Sequence, residues 1–76
     1  MNQEIFNLEL RKFLKHFGVT AQREIEHAVE TGLADRRLSG TEVLPVRATL
    51  TIPGVLAELV VEGEIMLGSD GPGALA

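Results

Sequence analysis

The chain has no cysteine, tryptophan or tyrosine, and only three phenylalanines and three prolines in 76 residues. Without cysteine neither a disulfide nor a thiolate metal site forms, which fits a reducing compartment. Two histidines do not build a metal site without carboxylates, so no metal or other cofactor is expected. Basic residues are also few, seven Lys and Arg against eleven Asp and Glu, for a formal net charge of −4. That balance suits neither phosphate backbones nor anionic lipid, whose affinity for proteins comes mainly from Lys and Arg. No apolar run approaches the roughly 20 residues of a membrane span. The opening Met1-Asn2-Gln3-Glu4 lacks a basic region followed by an apolar one, so no signal peptide is expected and the chain reads as cytoplasmic. A chain this short makes one domain at most, and small folds draw on disulfides, metals or oligomerisation for stability. Self-association is the source left here.

The first half of the chain is patterned for helix. Phe6, Leu10, Phe13, Leu14 and Phe17 gather on one side of a helix over residues 3–17. Gly18 follows the last of them, where a left-handed residue often closes a helix. Thr20 stands where a cap belongs, although Arg23, three residues on, breaks the reciprocal capping pattern. The reading is a turn at Gly18-Val19-Thr20 and a second helix over residues 20–37, with Arg36 and Arg37 in its last turn and Gly40 as terminator. Ala21, Ile25, Ala28, Val29, Gly32 and Leu33 share its apolar side. Large residues on one helix then face small ones on the other, with Phe13 buried between them.

Met1, Ile5 and Leu8 form a separate apolar line on nearly the opposite side of the first helix, continued by Lys12 and Lys15. Ile5 and Leu8, with Val60 further on, are candidates for contact with another molecule.

The second half alternates with period two. Residues 43–52 and 56–67 read as strands around Pro53-Gly54, with Val46, Ala48, Leu50 and Ile52 on one face and Arg47, Thr49 and Thr51 on the other. Ala57, Leu59 and Val61 alternate with Glu58, Val60 and Glu62. Two registers keep these faces: one with a two-residue loop, the other with a four-residue loop. Pro-Gly favours a type II turn, whose twist is wrong for a two-residue hairpin, so the wider loop is preferred. Arg47 then falls opposite or diagonal to Glu58, Val60 or Glu62. Pro45 is confined to an edge or a strand end. Gly63 marks a candidate bulge, with Ile65 and Leu67 beyond it on the inner face. Residues 68–76 have no periodicity and three glycines, the pattern of a disordered tail after a domain of residues 1–67.

Three segments, Arg11-Lys12-Phe13-Leu14-Lys15, Gly18-Val19-Thr20-Ala21-Gln22-Arg23-Glu24-Ile25-Glu26 and Glu62-Gly63-Glu64-Ile65, occur in this order. With them the chain resembles a family of short, uncharacterised bacterial proteins over about residues 1–67. The resemblance implies no activity and transfers no catalytic residue.

The chemical candidates are thin. A helix, a Gly18-Val19-Thr20 turn and then Gln22 and Arg23 resemble the entry of a helix-turn-helix, and both side chains are base-reading types. Glu24, Glu26 and Glu30 on the same helix would meet phosphates, which opposes that reading. Glu24-x-x-His27 has the spacing of a di-metal carboxylate motif, but no second such motif accompanies it. His16, His27, Asp35, Ser39 and Thr41 are available for acid, base or nucleophile roles, yet no nucleophile-elbow pattern surrounds the hydroxyls. Glu42, Glu58, Glu62 and Glu64 supply either an acidic docking face or a solvated strand face.

The expected architecture is therefore α+β, an antiparallel helix pair followed by a β-hairpin in the order ααββ. The expected role is a non-catalytic interaction module that associates with itself, for instance by joining two hairpins into a four-stranded sheet. The alternative is a small DNA-binding regulator of helix-turn-helix type.

Overall fold

The computed structural model describes residues 1–68. One helix, α1 (Gln3–Ala34), is followed by two strands, β1 (Val43–Ile52) and β2 (Leu56–Met66), which pair as an antiparallel hairpin. The class is α+β, as the patterning indicates. The chain divides into two compact units, the helical Met1–Arg37 and the hairpin-bearing stretch from Leu38 onward.

The expected helix pair is not formed. Gly18, Val19 and Thr20 are helical, and α1 runs through them for 32 residues. Continuing the helix costs about 1 kcal/mol at Gly18 and a few tenths at each β-branched neighbour. Breaking it would strand four N–H and four C=O groups at new ends. The apolar pattern also stays in phase across the presumed turn. From Phe17, Ala21 lies one helical turn on, then Ile25 and Ala28, all on the side that carries Phe6, Leu10 and Phe13. The two stripes assigned to facing helices are one stripe on one helix.

The ends of α1 are fixed by local bonds. Asn2 is the N-cap, and its Oδ1 accepts from the Ile5 N–H at 3.0 Å. At the other end Asp35 caps, donating its N–H to the Thr31 carbonyl, and Arg36 takes the left-handed conformation at φ 65°. Arg36 and Arg37 thus lie beyond the last turn, and Gly40, with φ 101°, belongs to the following loop and does not terminate the helix. Arg37 folds back, donating from Nε to both Asp35 carboxylate oxygens at 2.9 Å. That bond holds the Asp35 carboxyl below the usual aspartate range.

The hairpin follows the expected faces and the wider register. Arg47 pairs with Glu62, Ala48 with Val61 and Leu50 with Leu59. A shift between Leu50 and Ile52 then slips the end by one, pairing Ile52 with Leu56, so the loop holds three residues, 53–55. The Val55 N–H donates to the Ile52 carbonyl at 2.9 Å, and Gly54 has φ 79°. This is the Pro-Gly type II turn, with glycine at the position that needs positive φ. No bulge occurs at Gly63, which pairs in register with Val46.

The Leu67 N–H donates to the Glu42 carbonyl at 2.9 Å, which extends the ladder one residue beyond the strands. Antiparallel bonding alternates along a strand, so Leu44, Val46, Ala48 and Leu50 bond inward and Pro45 faces the open edge, where its missing N–H breaks no rung. Gly68 closes the foot of the hairpin. A Cβ there would sit 2.7 Å from the Gly40 carbonyl oxygen, so the two backbones meet as only glycine permits. Gly68 was read as the first residue of a tail; the remainder of that stretch, 69–76, lies outside the described residues.

Gly18 is a direct test of the continuous helix. A Cβ there meets nothing within 4 Å. Gly18→Ala is expected to stabilise the helix by roughly 0.5–1 kcal/mol, read as a higher melting temperature by circular dichroism. A lower melting temperature would mean that Gly18 occupies a turn.

Candidate functional site

Two apolar faces dominate the surface. The first is the stripe on α1 formed by Phe6, Leu10, Phe13, Leu14, Phe17, Ala21, Ile25, Ala28 and Val29. Among the described residues no apolar side chain is buried, and Phe13 and Phe17 are 48% and 47% exposed. Phe13 is therefore not the core residue that the helix pair required. The two rings stack on each other, with centroids 6.4 Å apart and planes 9° from parallel. Within α1 only Gly32 is buried, and Ala21 and Val29 are half-buried.

The second face belongs to the hairpin. Leu44, Val46, Ala48 and Leu50 on β1 lie across from Ile65, Gly63, Val61 and Leu59 on β2. The β1 members are half-buried by their neighbours, while Leu59 and Val61 remain exposed. The opposite face is polar in part. Arg47 and Glu62 approach to 3.7 Å, and Val60 faces Thr49.

The residues singled out for contact are exposed. Ile5 and Leu8 share one side of α1 at 59% and 60% exposure. Val60 stands on the outer face of the hairpin. All three are smaller features than the α1 stripe, which sequence reasoning had consumed in an internal helix pair. The signal that would have found it is the unbroken phase from Phe17 to Ala21.

Gln22 and Arg23 lie in the middle of α1, with no turn before them. The local geometry of a helix-turn-helix is therefore absent within this helix. Glu24 and His27 sit on the same helix one turn apart. Among the described residues no group of three His, Cys, Asp or Glu is placed to hold a metal ion. No helix among the described residues is long and apolar enough to cross a membrane.

Ser39 and Thr41 do come together. Their hydroxyls are 3.0 Å apart, and Ser39 Oγ donates to Glu42 Oε2 at 3.3 Å. Glu42 also accepts the Ser39 N–H at 2.8 Å and the Gly40 N–H at 3.0 Å. Ser39-Gly40-Thr41-Glu42 carries the S-x-x-E pattern of a capping box, and the carboxylate reaches back to the serine N–H as it would there. Here it knots a loop instead of opening a helix. The Ser39 N–H is the largest cause that lowers the Glu42 carboxyl below the usual glutamate range. A carboxylate held down in this way is a weak proton acceptor, so the cluster resembles a structural clasp more than a nucleophile and its base. Glu42 is thereby separated in role from Glu58, Glu62 and Glu64, with which it had been grouped.

The clasp has a definite pH response. Its carboxyl is depressed in the folded loop, so its contribution is present above the ordinary glutamate range and is lost as pH falls through the lowered value. In an NMR titration the Ser39 and Gly40 amide signals are expected to move together with a midpoint below that range, and Glu42→Gln removes the transition. A midpoint within or above the ordinary range would show that the clasp does not hold in solution.

Comparison with proteins of curated function and with solved structures finds no match. A model of a family of unknown function, DUF6494, matches residues 1–68, and the chain belongs to that family.

Proposed function

We propose that this chain is a non-catalytic interaction module that associates with itself through the apolar stripe of α1, with the inner face of the hairpin as a second surface to be covered. One observation supports this above the others: among the described residues neither unit has a buried apolar side chain, while a row of Phe and Leu along α1 is about half exposed. Soluble monomers rarely expose contiguous apolar patches beyond a few hundred Å². An isolated helix gains little stability without packing of its apolar face, and a lone two-stranded hairpin is marginal in water. Burial between chains supplies what each chain lacks. The DNA-binding alternative loses its local basis with the turn before Gln22 and Arg23, and the net charge of −4 opposes it.

Sedimentation at micromolar concentrations is expected to give an oligomer. The melting temperature is expected to rise with protein concentration, because association then stabilises the folded state by mass action. Phe13→Asp should shift the distribution toward monomer and lower the helical signal. A wild-type monomer with a cooperative, concentration-independent melt would overturn the proposal. The double change Ile5→Ser with Leu8→Ser should leave the oligomer intact. Its dissociation would transfer the interface to that side of the helix.

A further inference from the structure

We infer that the occupant of the α1 stripe is the same stripe of a second copy running in the opposite direction. This rests on the self-association proposed above and adds its geometry. The positions along the midline of the stripe, Phe6, Leu10, Phe13, Phe17, Ala21, Ile25 and Ala28, continued to Gly32, are spaced 4-3-4-4-4-3-4, a series that reads the same in both directions, while Leu14 and Val29 lie on one flank of it. Two antiparallel copies related by a two-fold axis beside Val19 therefore bring every layer opposite a layer. Leu10 meets Ala28, Phe13 meets Ile25 and Phe17 meets Ala21, and the symmetry repeats each pair. The outermost match, Phe6 with Gly32, is not counted, because Gly32 is already buried.

Side-chain size selects this direction. The first half of the stripe is large and the second half mostly small, so antiparallel pairing sets large against small at a nearly constant helix separation. Parallel pairing would set Phe13 and Phe17 against their own copies at one end and Ala21 and Ala28 against theirs at the other. The helices would be wedged apart at the first end and leave a gap at the second.

Charge permits the same direction without deciding it. In an antiparallel pair like edges meet. On one edge, Arg11 lies within a turn of the other copy's Glu26; on the other edge, both Glu24 and Arg23 lie near its His16, and Glu9 lies near its His27. Parallel pairing joins unlike edges, which sets Glu26 beside both Glu24 and Arg23, and Glu9 beside Arg11. The large-against-small arrangement selects the antiparallel second copy, and the charged edges allow it.

Pulsed electron paramagnetic resonance on nitroxide-labelled full chains tests this alongside sedimentation. The chain has no cysteine, so Glu4→Cys and Glu30→Cys each carry one label, away from the stripe. In the antiparallel dimer two Glu4→Cys labels are about 45 Å apart, since each lies 15 residues from the axis at 1.5 Å per residue. A mixture of the two variants adds a separation under about 30 Å. Parallel pairing reverses this, with a short Glu4–Glu4 distance and about 40 Å in the mixed pair. A dimer with the long Glu4–Glu4 and short mixed distances supports the inference. A dimer with the reversed distances overturns the direction and leaves self-association standing. A larger assembly that gives both patterns overturns the two-chain pairing. A monomer overturns self-association and this geometry with it.

Discussion

The structure depends on the backbone hydrogen-bond ladder of α1 continuing through Gly18, Val19 and Thr20. With the ladder intact, Phe17 and Ala21 stay one turn apart on the same side, and a 32-residue helix presents a single apolar face. Were it broken there, the two halves would be free to fold onto each other and bury that face inside one chain. Three residues of mediocre helix propensity thus decide whether that face is buried within the helical unit or left on its surface. The weak intrinsic preference of Gly, Val and Thr for helix is outweighed by the cost of two new helix ends.

The rest of the chain is held by short local devices. Asn2 and Asp35 close the helix at its two ends, the Glu42 carboxylate gathers the loop at 39–42, and Gly54 allows the hairpin turn. None of them relies on burial. Local bonds of this kind set the shape of each element, while the apolar surface left over sets what the elements do next.

This division explains what was legible in the sequence. The hairpin was readable to the residue in β1 and nearly so in β2, because period-two alternation, Pro-Gly turn chemistry and the edge position of Pro45 are all local rules. The register followed from preferring a loop wider than two residues, although the slip between Leu50 and Ile52 has no sequence signature. The helix was misread at Gly18, where a good terminator in isolation proved to be an ordinary helical residue. Stop signals are weak priors, and the phase of the apolar residues on either side was the stronger evidence. Burial of Phe13 failed for the same reason, since it presupposed a partner helix within the chain. Ile5, Leu8 and Val60, read as candidates for contact with another molecule, are exposed, but the larger α1 stripe was assigned to the interior.

The edges of the hairpin bear on the size of any assembly. Pro45 interrupts the donor row on the free side of β1, and Glu58, Glu62 and Glu64 line β2 with like charge. Strand-by-strand addition along either edge would lose a rung at one side and crowd carboxylates at the other. Growth through the sheet is thereby discouraged, and contact is steered to faces. A face-to-face contact about a two-fold axis consumes the surface that makes it, so an α1 stripe paired in the way proposed would recruit no further chain through that stripe. Under the self-association proposed, pairing through the helix stripe would close on itself instead of extending into fibres.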